Sequence, residues 1–115
     1  LLIKAPSLYP YWYDEYEAQV EDYAAAHNLR YINFLELTDE IGIDYDTDTY
    51  DAGLHMNLSG AEKLSGYIGK VLVEDYGIED RRKEKELSDI WEKKITAYEA
   101  DRDAQYEYYG IDPKD

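Results

Sequence analysis

The sequence predicts an α/β fold with a parallel sheet, and three stretches carry that expectation. LLIKAPS, residues 1 to 7, opens with three apolar residues and is closed by Pro6, the pattern of a short buried strand and its exit. Residues 14 to 27 place Tyr16, Val20, Tyr23, Ala24 and His27 at helical spacing on one face. RYINFLEL, residues 30 to 37, is rich in Ile, Leu, Phe and Tyr and reads as a second strand. Strand, helix and strand over this length make a βαβ unit, whose strands run parallel through a right-handed crossover.

Each element has its own local reason. Asp14, Glu15 and Glu17 suit the positive end of the first helix, and Asn28 suits a left-handed stop. Before that helix, LYPYWYDEY is an aromatic loop, and after the second strand TDEIGIDYDTDTYDAGLHMN is an acidic one. Ser59-Gly60-Ala61-Glu62 has the form of a capping box, in which Ser59 accepts from the Glu62 amide and Glu62 reaches back. The helix it starts carries Ala61, Leu64, Ile68, Val71 and Leu72 on a core face, and Gly77 ends it. Beyond the charged link EDRRKEKE, a last helix spans about residues 86 to 108. Its apolar stripe, Leu87, Ile90, Trp91, Ile95 and Tyr98, is expected to pack back on the domain.

Two parallel strands are too few for a self-sufficient sheet, since parallel sheets are covered on both faces and have several strands. Residues 1 to 80 are therefore expected to be the C-terminal portion of a larger α/β domain, with 81 to 115 as a helical extension. The N-terminal half of that domain is then an expected partner.

Composition narrows the function classes. Twelve basic against 27 acidic residues give a net charge of −15, which repels nucleic acid and anionic membranes. Mean hydropathy is −0.73, and no run approaches the roughly 20 apolar residues of a spanning helix. With no cysteine there is no thiol nucleophile, disulfide or thiolate metal site.

The chemistry-bearing stretch is YDAGLHMNLSGAEK, residues 50 to 63. His55 follows Asp51 by four residues, with Gly53 between them to let the chain fold back. In nucleophilic hydrolysis one imidazole nitrogen takes the nucleophile's proton, while the other donates to a carboxylate that fixes the tautomer. His55 and Asp51 are the candidate catalytic pair, and Asp48 is the alternative acid. The competing readings of His55 are a loop histidine that caps or packs, or a metal ligand. His27 reads as structural, near a helix C-terminus that favours a cation. Asn57 reads as a loop-fixing hydrogen-bonding residue.

Asp51, His55, Met56, Asn57, Ser59-Gly60-Ala61 and Lys63 resemble the C-terminal motif block of the SGNH, or GDSL-type, hydrolases, over roughly residues 1 to 80. That resemblance implies a flavodoxin-like three-layer α/β sandwich and a Ser-His-Asp arrangement that cleaves or transfers acyl esters, often on carbohydrate. It implies His55 as general base, Asp51 as its orienting acid, no metal or organic cofactor, and a cell-surface or exported location. Two features depart from the family. Its usual D-x-x-H spacing is lengthened here by one residue, and the chain contains no Gly-Asp-Ser. Ser7, Ser59, Ser65 and Ser88 are the only serines, so the nucleophile is expected outside this chain. The expected substrate is a small-molecule or carbohydrate acyl ester.

A different class stays open: a non-catalytic acidic module that binds calcium, or a partner through its aromatic loop or last helix. Asp44, Asp46 and Asp48 match the opening of a calcium loop, but its sixth and twelfth positions would be Thr49 and His55 rather than Gly and Glu. The aromatic loop reads either as a platform for sugar rings or as a cluster covering the edge of the core.

Overall fold

The structure is a computed structural model and describes residues 1–112. Strands β1 (Leu2–Lys4) and β2 (Tyr31–Asn33) flank helix α1 (Asp14–Ala26), and helices α2 (Thr38–Ile41), α3 (Leu58–Glu74) and α4 (Lys85–Tyr109) follow. The strands pair parallel, Ile3 opposite Ile32, with Leu2 N–H donating to the Arg30 carbonyl and Phe34 N–H to that of Lys4.

The βαβ order is as expected, but the three-layer sandwich is not. The described residues hold a two-stranded sheet of three residues per strand and are 53% helical. The described residues supply only these two strands, too few for a sandwich, and β2 is cut short at Asn33. Its side-chain oxygen accepts from Leu35 N–H at 3.1 Å and its carbonyl from Glu36 N–H at 3.2 Å, so the chain turns where the apolar pattern continues. Local side-chain bonding of this kind competes with a ladder. Residues 34–37, read as strand, instead form the turns that lead into α2.

The core is small. Ile32, Phe34 and Val71 are buried together, with Leu37, Ile41, Leu64, Tyr67 and Ile68 packed against them. Phe34 is fully buried and meets Tyr67 edge-on, centroids 5.7 Å apart. The expected face of α3 does turn inward, but that of α1 largely does not: Ala24 is buried while Tyr16, Tyr23 and His27 are exposed. His27 bonds the Tyr23 carbonyl through Nδ1 and stacks on that ring, so it closes the helix end from the solvent side.

Helix α3 starts two residues earlier than a Ser59 cap would place it. Asn57 is the N-cap, accepting from Gly60 N–H at 3.1 Å. Ser59 and Glu62 are spent elsewhere. Glu62 accepts from the Tyr98 and Tyr106 hydroxyls at 2.8 and 2.5 Å, and Gln105 accepts from Leu58 N–H. These bonds dock the C-terminal half of α4 on the start of α3. The N-terminal half does not pack back as its stripe predicted: Ile90, Trp91 and Ile95 are 55%, 56% and 46% exposed. No helix among the described residues is long and apolar enough to cross a membrane.

Candidate active site

The 44–57 loop is built outward from one buried carboxylate. Asp48 is fully buried; its Oδ2 accepts from Asp44 N–H and Lys63 Nζ, both at 2.8 Å, and its Oδ1 from Ser59 Oγ at 2.6 Å. A buried charge is tolerable only with such partners. The Asp48 carbonyl accepts from Asn57 N–H, and Asn57 Nδ2 donates to Thr47 at 2.7 Å. The two ends of the loop are thus stapled to the first turn of α3.

Between the staples the chain doubles back. Thr49 and Met56 form an antiparallel bridge, and Tyr50 N–H donates to the His55 carbonyl at 3.3 Å. The tip, Asp51 to Leu54, turns through two residues of positive φ, Ala52 at 57° and Gly53 at 93°. Thr49 Oγ1 accepts from Gly53 N–H at 2.9 Å and holds the tip down.

This reversal brings Asp51 and His55 together. Asp51 Oδ1 accepts from the His55 backbone N–H at 2.7 Å, and Oδ2 lies 2.5 Å from His55 Nδ1. A carboxylate only accepts, so Nδ1 carries the proton and Nε2 is left as the basic nitrogen. The bond from the His55 ring holds the Asp51 carboxyl below the usual range, partly opposed by desolvation, and backbone donors of His55 and Leu54 reinforce it. The His55 side chain is 67% exposed, and Tyr50 lies almost parallel to its ring, 12° between planes and 5.8 Å between centroids. The spacing that lengthens D-x-x-H is absorbed by the two positive-φ residues.

Asp48, the alternative acid, does not face His55: it is buried, with both oxygens engaged by Asp44 N–H and by Ser59 and Lys63 of α3. Asn57 fixes the loop, as its sequence position suggested. Of the serines, Ser59 donates to Asp48 and Ser7 to the Leu54 carbonyl at 2.9 Å, while Ser65 and Ser88 lie within α3 and α4. Among the described residues, no three His, Asp or Glu side chains converge as metal ligands. In the acidic run, Asp44 Oδ1 instead receives Asp46 N–H, and Asp48 is turned inward.

Two contributors do not stand out in the sequence. Tyr50 was absent from the candidate pair, although its position next to Asp51 in a chain reversal is a signal for contact across the turn. Lys63 stands in the sequence only as one member of the motif string. Its place one turn after Ser59 puts both on one helix face, where they meet Asp48 together.

The aromatic loop is tied to this site. Leu8 N–H donates to the Gly53 carbonyl at 2.8 Å, and a Cβ on Gly53 would lie 2.6 Å from the Leu8 side chain. Comparison of the chain with protein-family models, with curated proteins and with solved structures found no match.

Proposed function

We propose that the 50–57 loop supplies the base and orienting acid of a nucleophilic acyl-transfer site, with His55 as general base and Asp51 as its partner. The observation that carries this is the double grip of one carboxylate on residue 55, through backbone and ring. That grip fixes both the tautomer and the direction of the imidazole, which is what a base needs from its acid. The ester's acyl carbon would be attacked by a serine hydroxyl from outside this chain, whose proton passes to Nε2; as the ester C–O bond breaks, Nε2–H returns that proton to the departing alkoxide, leaving an acyl-serine for water or an acceptor hydroxyl to attack in the same way. The SGNH motif block supports this reading at the level of the loop; the three-layer fold does not belong to it here.

The test uses the full-length protein and a p-nitrophenyl acetate assay. His55→Ala should lower kcat by about 10⁶-fold and Asp51→Asn by about 10⁴-fold, with the fold retained by circular dichroism. Wild-type-like turnover in His55→Ala would remove the histidine from the mechanism.

One observation favours a second reading. The bare stripe of Ile90, Trp91 and Ile95 on α4 is a surface suited to a partner. A non-catalytic binding role predicts no ester hydrolysis by the wild-type protein.

A further inference from the structure

The backbone under His55 is fixed from both arms of the chain reversal. On one arm Thr49 is buried, its hydroxyl donating to the Tyr45 carbonyl at 2.6 Å and accepting from Gly53 N–H. On the other, Ser7 Oγ and Leu8 N–H donate to the carbonyls of Leu54 and Gly53, the two residues immediately before His55. What the backbone leaves free is the imidazole, whose side chain is largely exposed. The bond from Nδ1 to Asp51 decides which ring nitrogen faces the acid. One hydrogen bond accepts a broad range of approach, so by itself it lets the ring plane swing about the line from Nδ1 to Oδ2. A general base needs that swing stopped, because Nε2 must point at a single place.

Tyr50 stands where it can stop it. Thr49 and Met56 face each other across the bridge, so Tyr50 and His55 are the next opposed pair and share one face of the reversal. Their rings lie 12° from parallel with centroids 5.8 Å apart, an offset stack. We infer that Tyr50 is a positioning residue for His55: Asp51 sets the tautomer, and the Tyr50 ring sets the tilt of the imidazole and with it the direction of Nε2. The ring face does this, and the phenol hydroxyl is not needed for it. Tyr50 is 61% exposed, so replacing its ring leaves no hole in the core. That the aimed nitrogen takes a proton from a serine rests on the acyl-transfer reading; that the stack holds the ring does not.

Two variants of the full-length protein test this: Tyr50→Leu, which removes the ring face, and Tyr50→Phe, which keeps it. Proton NMR reads the stack directly. In the wild type and in Tyr50→Phe, the carbon-bound ring protons of His55 should be shifted upfield by the ring current of residue 50. In Tyr50→Leu that shift should vanish while the Nδ1 proton bound to Asp51 persists. In the p-nitrophenyl acetate assay Tyr50→Leu should lower kcat by about 10- to 100-fold with KM unchanged, the cost of a misaimed base, and Tyr50→Phe should restore turnover. A wild-type protein that shows the ring-current shift but hydrolyses no ester defeats the acyl-transfer reading and leaves the role of the stack standing. That role is overturned if His55 in Tyr50→Leu keeps its wild-type shifts, or if an active protein loses no turnover in that variant. It is overturned equally if Tyr50→Leu loses the Nδ1 proton, which would make Tyr50 a support of the loop, or if Tyr50→Phe behaves like Tyr50→Leu.

Discussion

Gly60 shows at the scale of one residue how the site depends on its support. A Cβ there would stand 2.4 Å from the Asp48 carbonyl oxygen and 2.7 Å from Met56 Sδ. The first of these is backbone already bonded to Asn57, so it cannot yield cheaply. Gly60→Ala should cost about 1–3 kcal/mol, the usual price of overpacking, and should push the loop off α3. Urea denaturation would give the loss, and the Asp51–His55 contact can be followed by the His55 Nδ1 proton in NMR. Unchanged stability would mean that loop and helix are less tightly joined than these distances require. The pair itself was legible, because an acid and a histidine around a glycine need only a chain reversal to meet. What supports it was not: the capping-box pattern pointed to Ser59, and the buried Asp48 drew that hydroxyl away, a tertiary contact that no local motif encodes.

At the scale of elements, the spans of α1, α3 and α4 came out within a residue or two, since periodicity and end signals are local, while the one-turn α2 lies in the stretch that reads as an acidic loop. The second strand came out too long, because its apolar pattern continues through Phe34 and Leu35 while the Asn33 side chain turns the backbone. The docking of α4 was legible only as a stripe, and the stripe pointed to the wrong half. The helix is held by hydroxyls instead: Tyr98 and Tyr106 both donate to Glu62. Burial and the Glu62 carboxylate push the Tyr98 phenol up to about 12, and that of Tyr106 upward as well. A tyrosine whose pKa is raised by folding contributes stability that is complete below the unfolded value, about 10, and lost as pH rises through the folded one. Alkaline titration should therefore leave α4 docked at pH 9 and release it between about pH 10 and 12. Absorbance at 295 nm would report the ionisation, and hydrogen exchange of the amides around residues 98–106 would report the release. Tyr98→Phe should weaken docking already at pH 7; if it does not, packing rather than the hydroxyl holds the helix.

At the scale of the whole molecule, the chain is open for its length. Its radius of gyration is 16.6 Å, against about 13 Å for a compact domain of this size. Its apolar core is a handful of buried residues, so little hydrophobic stabilisation stands against the cost of ordering the chain. The net charge of −15 acts on this thin structure everywhere at once. Most of the ion pairs are exposed, among them Arg82–Asp80 and Lys85–Asp89, and such pairs contribute little. Self-repulsion should then dominate the response to salt. The Debye length is about 30 Å at 0.01 M and about 3 Å at 1 M. The molecule measures 43 by 35 by 19 Å, so at low salt charges across its short dimension feel one another, and at high salt they do not. Tm in sodium chloride should rise steadily over that range, with most of the gain below about 0.1 M, where the screening length falls inside the protein. A Tm that falls with added salt would show that attractive pairs such as Lys63–Asp48 and Lys4–Glu17 outweigh the net charge, and that the fold is held by specific contacts against a repulsion too weak to matter.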